Sequence, residues 1–259
     1  MVIGSLYSCR WVRLTPLIAL AFILLVVRSM ADDQITKNDG TIISGRIVSV
    51  ADGQAMIEGR ASNGGVAKFP ITVTDIKSIN MAVPADVAKA QAPGVTPADV
   101  ITALEPQIKQ FAGLPAGWVV SAMEQLAEAY VAQGKGDRAL ATYNQIIQLY
   151  PGSIYENVAK AGIAEMSLKA GKIDEAFNAV KPIVEQANKD IAPSPTDGAL
   201  YAKAFLVYGQ ALDAQKKPQQ ALEAFLTVKT MFYQNPALVD QADQLTRSLR
   251  ERNPNLGVE

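Results

Sequence analysis

The 259-residue sequence predicts an α+β chain of more than one domain: a small five-stranded β-barrel, then an α-solenoid of about three helix pairs with flanking helices. Three observations carry this. Over residues 34–81 apolar and polar residues alternate, punctuated by turn dipeptides. Residues 82–95 are rich in alanine and proline and poor in bulky residues, as a linker, with or without one helical turn, is. From Thr96 onward the apolar period lengthens to that of helices, and one turn recurs. Gly134-Lys135-Gly136-Asp137-Arg138-Ala139 returns as Gly171-Lys172-Ile173-Asp174-Glu175-Ala176, and more loosely at Lys216-Lys217-Pro218 through Ala221.

Residues 1–31 read as a secretory signal. Arg10 and Arg13 precede an uncharged, mostly apolar run of 14 residues, 14–27, and Ser29-Met30-Ala31 supplies a small-x-small cleavage site. That run is shorter than the roughly 20 residues a spanning helix needs. Cleavage is expected after Ala31, with an uncleaved anchor as the alternative because Arg28 intrudes on the cleavage region. Localisation is then export to the periplasm or cell envelope, with contact to a membrane only through an uncleaved signal.

Residues 32–81 form the predicted barrel. Ile35 leads into the hairpin signal Asn38-Asp39-Gly40; residues 41–50 follow; Asp52-Gly53 turns; Met56 and Ile57 mark the third strand. Ser62-Asn63-Gly64-Gly65 turns again, before strands over 66–73 and 75–79. Gly45 and Gly59 inside strands predict bends or bulges. Asp39-Gly40-Thr41, Ser44-Gly45-Arg46-Ile47, Asp75-Ile76 and Ile79 resemble the Sm-like or SH3-like barrels of exported bacterial proteins. Some Sm-like relatives bind RNA. Here Lys37, Arg46, Arg60, Lys68 and Lys77 are interleaved with acids, and Phe69 is the one aromatic of the segment. A counterion-releasing basic surface and a stacking platform are both missing, so no nucleic-acid partner is expected.

The helical part, 96–259, opens on Thr96-Pro97-Ala98-Asp99, an N-cap, a proline at the first helical position and an acid in the first turn. This flanking helix, 96–111, places Val100, Ile101, Leu104, Ile108 and Phe111 on its core face. Pro106 predicts a kink or break, and Gly113-Leu114-Pro115 a stop. Helix pairs follow at about 120–153, 157–190 and 202–235. Ala139, Ala176 and Ala221 are 37 and 45 residues apart. The excess of the second interval falls at 188–198, which reads as loop throughout. A last helix over 236–250 carries Leu238, Ala242, Leu245 and Leu249 at helical spacing and serves as a cap.

Residues 123–151 carry a recognisable signature: Met123, Leu126-Ala127, Tyr130, Ala139, Tyr143 and Pro151. It resembles the tetratricopeptide repeat, whose 34-residue unit has a large apolar residue, Leu-Gly, Tyr, Ala, Phe and Pro at these places. The second unit aligns Ile163-Ala164, Ser167, Ala176, Val180 and Ile183. The third aligns Tyr208-Gly209, Leu212, Ala221 and Phe225. The resemblance implies a stack whose first helices line a concave face that holds other proteins. Mapped residue by residue, that candidate protein-binding groove shows Glu124, Glu128, Glu165, Lys169, Lys203, Leu206, Gln210 and Asp213. Relatives that grip a terminal carboxylate present cations and asparagines there. Glu124 and Glu128, one turn apart, would repel one. Trp118 is assigned to packing, and Tyr150, Tyr155, Phe232 and Tyr233 to the junctions between repeats.

Composition narrows the chemistry. After residue 31 the chain has no histidine and no cysteine, and 21 basic residues stand against 25 acidic ones, a balance of −4. Histidine–cysteine metal sites and Ser-His-Asp or Cys-His catalysis are thereby excluded. No catalytic residue, metal or cofactor is assigned, and the expected function is that of a non-catalytic scaffold with a protein or peptide partner. A structural homo-oligomer built through barrel edges, or an accessory subunit of a cell-wall enzyme, are the alternative classes.

Overall fold

The structure is a computed structural model and describes residues 33–60 and 64–256. The predicted signal segment and residues Ser62-Asn63 of the third turn lie outside the described residues. Five strands come first: β1 (Asp33–Lys37), β2 (Ile42–Ala51), β3 (Gln54–Arg60), β4 (Val66–Thr72) and β5 (Ile76–Asn80). All ladders are antiparallel, in the order β4-β3-β2-β1-β5.

Strand β2 bends because its two halves serve different partners. Ile42–Gly45 pair with β1, and Arg46–Ala51 with β3. The bend is possible because residue 45 is glycine: a Cβ there would lie 2.7 Å from Glu58 O and 2.8 Å from Ile57 Cγ2. A bulge at Val48 follows, and Gln110 Nε2 donates to the Val48 carbonyl at 2.7 Å, fastening the sheet to a helix. The predicted closed barrel is not formed. No ladder joins β4 to β5 among the described residues, so the sheet is open. Pro70 lies within β4 and has no N–H to offer a further strand, which suits an edge.

Nine helices follow among the described residues: α1 (Ala85–Ala90), α2 (Pro97–Phe111), α3 (Gly117–Ala132), α4 (Gly136–Leu149), α5 (Ile154–Lys169), α6 (Ile173–Ala187), α7 (Pro195–Ala214), α8 (Pro218–Met231) and α9 (Pro236–Arg252). Helix α1 falls in the segment read as linker, and its Val87 is wholly buried. Helix α2 starts as its cap predicts, Thr96 Oγ1 accepting from Asp99 N at 3.3 Å. It runs through Pro106 without the predicted break. A proline forfeits one intrahelical bond, and burial of Leu104, Ile108 and Phe111 on one face outweighs that loss.

The predicted loop over 188–198 is also shorter than expected. Pro195–Gly198 form the first turn of α7, with Ser194 as N-cap accepting from Asp197 N at 3.2 Å. The third unit therefore begins at Pro195 rather than at 202. Of the assigned junction aromatics, Tyr150 meets Tyr155 edge-on at 5.8 Å, and Phe232 meets Tyr201 at 5.9 Å. Tyr233 does not seal a junction: it is 65% exposed.

The pairs α3/α4, α5/α6 and α7/α8 reverse by the same backbone device. Gly134 N donates to Val131 O, and Lys135 N to Tyr130 O at 2.8 Å. Gly171 and Lys172 repeat this on Leu168 and Ser167, and Lys216 and Lys217 repeat it on Asp213 and Leu212. This is a Schellman ending, which requires a left-handed residue after the helix. Gly134, Gly171 and Lys216 supply it, with φ of 69°, 78° and 63°.

Two hydrophobic cores result. One joins the sheet to α1–α4, through Ile35, Ile57, Val87, Leu104, Met123 and Ile146. The other runs from α5 to α9, through Val180, Phe205, Phe225 and Leu249. Helix α5 is shared: Ala159 belongs to the first core, and its neighbour Val158 to the second.

Candidate functional site

The first helices of successive pairs, α3, α5 and α7, pack side by side, and α9 adds a fourth in the same manner. Together they line a cleft of about 680 Å³. Of the eight predicted groove residues, six border it: Glu124 and Glu128 on α3, Glu165 on α5, and Lys203, Leu206 and Gln210 on α7. Leu206 is 2% exposed and forms floor rather than contact surface. Lys169 lines a smaller adjoining cavity of about 240 Å³ with Glu128, Tyr143 and Gly162. Asp213 lines neither; its carboxylate pairs with Arg252 of α9 at 2.7 Å.

Three groove side chains are joined to one another. Lys203 Nζ lies 3.0 Å from Glu124 Oε1 and 2.7 Å from Glu128 Oε1. Glu124 and Glu128 are presented together because four residues make about one helical turn. Lys203 comes from α7, two helices away, and reaches over α5. On α5, Val158 and Glu165 border the groove. Glu165 pairs within its own helix, with Lys169 at 2.7 Å.

The electrostatics follow from this packing. Burial opposes the charge on Lys203, but the carboxylates of Glu124 and Glu128 outweigh it and raise the ammonium above its ordinary value. Burial also pushes the Glu124 carboxyl up, with Glu128 and Glu165 adding to it against the pull of Lys203. Tyr143, beneath this cluster, is raised chiefly by burial.

Sequence reasoning missed the fourth wall. Asn235, Leu238 and Gln241 at the start of α9 border the cleft, although α9 was expected only as a cap. Its position after a complete helix pair was the available signal, since a further first helix belongs there. The reading also missed Gln125 on α3, and a second cleft of about 1000 Å³ between the sheet and helices α2–α4. The β2–β3 turn at Asp52-Gly53 borders that cleft, with Lys109, Gln148 and Leu149. Within it Tyr130 Oη donates to Glu105, and Arg138 pairs with Glu105 at 2.9 Å and lies 4.5 Å over the Tyr130 ring. This cluster ties α2 to the first helix pair.

A tetratricopeptide-repeat family model matches residues 121–153, most of α3 and all of α4. No curated protein and no solved structure matches the chain. The chain therefore carries one tetratricopeptide repeat by sequence, set in a helical array that reverses three times in the same way.

Proposed function

We propose that the chain is an exported, non-catalytic scaffold that holds a segment of another protein in the groove of α3, α5, α7 and α9. The single observation that carries this reading is that cleft, lined by the first helices of successive pairs and containing the repeat matched at 121–153. Tetratricopeptide repeats are interaction modules that seldom catalyse. The contact residues are Glu128, Gln210, Lys169 and the exposed parts of Glu124, Glu165 and Lys203, with Asp213 at the end of α7. Cleavage after Ala31 releases a chain of −4 into the envelope, where residues 32–81, a small Sm-like or SH3-like fold, act as a second docking module beside a helical domain over 96–259. Cross-linking from Gln210 in the native envelope, followed by identification of the attached protein, tests this. Attachment that is unchanged when the cross-linker is moved to the outer face of α6 would defeat it.

A second reading has one observation in its favour. The sheet leaves β4 and β5 as open edges, and open edges invite pairing. A homo-oligomer through these edges predicts a solution mass that is a multiple of the chain's, and a strict monomer at high concentration removes it.

A further inference from the structure

The charge and hydrogen-bonding character of the groove names the chemistry of its occupant. The residues bordering the cleft include three carboxylates, Glu124, Glu128 and Glu165, and one cation, Lys203, a balance of −2. Counting Lys169, which pairs with Glu165 from the rim, still leaves −1. Lys203 Nζ is bound at one oxygen of Glu124 and one of Glu128. A carboxylate offers about four acceptor sites, so most of the acceptor capacity of this wall is unused. The wall already seats one ammonium at 2.7–3.0 Å, which shows that its geometry suits a cation. Facing this wall are the side-chain amides of Gln210 on α7 and Gln241 on α9. An amide presents a donor and an acceptor together, as the backbone of an extended chain does. The apolar residues Leu200, Leu206 and Val207 are all under 5% exposed, so they supply little contact area.

We infer that the groove takes an extended polypeptide segment bearing lysine or arginine side chains, its backbone on the amides and its cations on the Glu124–Glu128–Glu165 wall. This rests on the groove reading above and specifies its partner. An anionic tail is disfavoured at the same wall. Burial with like-charged neighbours, which raises Glu124, adds weight, because a further cation relieves it.

The test uses the purified protein and two labelled peptides of about ten residues, extending to roughly 33 Å. They share alternating valines and differ only in carrying lysine or glutamate between them. Fluorescence anisotropy should show the lysine peptide binding at least tenfold more tightly, and more weakly as salt rises. Two variants move the charge in opposite directions. Glu128→Lys should weaken the lysine peptide, and Lys203→Gln should tighten it, by about fivefold per unit charge. Circular dichroism checks that both fold. Opposite shifts cannot come from damage to the fold, which would weaken both. Equal binding of the two peptides, or preference for glutamate, overturns the charge assignment and leaves the groove reading intact. Binding of neither peptide overturns the inference. The groove reading itself then stands or falls separately, on whether envelope cross-links form from Gln210.

Discussion

The first and second helix pairs share a backbone and differ in the aromatic side chains that define the repeat, Tyr130 and Tyr143 against Ser167 and Val180. At the end of its first helix and the start of its second, the first pair has Tyr130 and Arg138; the second has Ser167 and Glu175. In the first, the guanidinium stacks on the phenol ring at 4.5 Å and continues to Glu105 of α2. In the second, Ser167 Oγ donates to Glu175 Oε1 at 2.9 Å, and Glu175 pairs with Lys172 of its own turn at 3.3 Å. The third pair uses buried Leu212 instead. The reversal between helices is nonetheless the same in all three, because it is made by backbone N–H and C=O groups that any residue carries. The family model, which reads side chains, matches the first pair. The geometry of the reversal repeats in all three pairs, while the side chains around it change.

Packing shows the same substitution of means. Phe225 of α8 fills the space left by Gly209 in its own pair, where a Cβ would lie 2.5 Å from the ring. In the first pair that place holds Ala127, and Tyr143 instead covers Gly162 of the next pair, at 2.4 Å by the same measure. In the second pair the matching places hold Ala164 and Val180, both buried. The largest test is therefore truncation. Phe225→Ala should cost about 3–5 kcal/mol by leaving a cavity, against about 2 kcal/mol for Val180→Ala. Chemical denaturation measures both. Equal costs would mean that the third pair does not depend on its large residue.

The two glycines give the next test. Gly162→Ala and Gly209→Ala gain about 1 kcal/mol of helix propensity but force a methyl group against a buried ring, which costs about 1–3 kcal/mol. A net loss is expected because Tyr143 and Phe225 are 1% exposed and cannot swing away. Gly136→Ala is the contrast. Its nearest neighbour is the Met166 Cε at 3.9 Å, so the substitution should stabilise by about 0.4–1 kcal/mol. A thermal shift of the same sign for all three would contradict this account.

The groove adds a link between non-adjacent pairs. Lys203→Met leaves Glu124 and Glu128 facing each other without their cation. Loss of a fully buried partner costs about 3–5 kcal/mol; here Glu128 is 52% exposed, so solvent screening reduces the expectation to about 1–2 kcal/mol. Because Lys203 is on α7 and the acids are on α3, hydrogen exchange should rise in both helices. A rise in α7 alone would mean that the bridge does not couple the pairs.

At high pH the junction between α4 and the α2–α3 loop should weaken. Tyr150 Oη accepts from Gly113 N and donates to Leu114 O, both at 3.0 Å. Burial raises its pKa to about 12, against the pull of the Gly113 bond. A raised value means that folding favours the protonated form. This stability is complete below pH 10 and is lost as pH rises through about 12. Tyr150→Phe should remove that part of the alkaline slope.

Much of this was legible in the sequence because it depends on local chemistry. Turn dipeptides placed the strands, and Thr96-Pro97 and Pro236 placed two helix starts. Ser194-Pro195 with Asp197 is the same start signal as Thr96-Pro97 with Asp99, and it was obscured by the prolines and glycine around it. What local pattern does not encode is pairing at a distance. The open edge of β4, the bond from Gln110 to Val48, and the reach of Lys203 over α5 to Glu124 and Glu128 all depend on elements far apart in the chain. Register alone placed six of the eight candidate residues beside one cleft; it did not show that Lys203 binds Glu124 and Glu128.

The smallest effect is the most direct check on the shared reversal. Gly134 and Gly171 occupy the left-handed position without penalty, whereas Lys216 holds it with a side chain at φ 63°. A left-handed residue with a Cβ costs roughly 1–2 kcal/mol, and glycine recovers most of this while giving back some through its freer unfolded chain. Lys216→Gly should therefore stabilise by about 0.5–1 kcal/mol, and Gly171→Lys should destabilise by a similar amount. The pair of substitutions exchanges residues at one position of one device, so their effects should be opposite in sign. If both destabilise, Lys216 contributes through its side chain, and the third reversal is not the backbone motif of the first two.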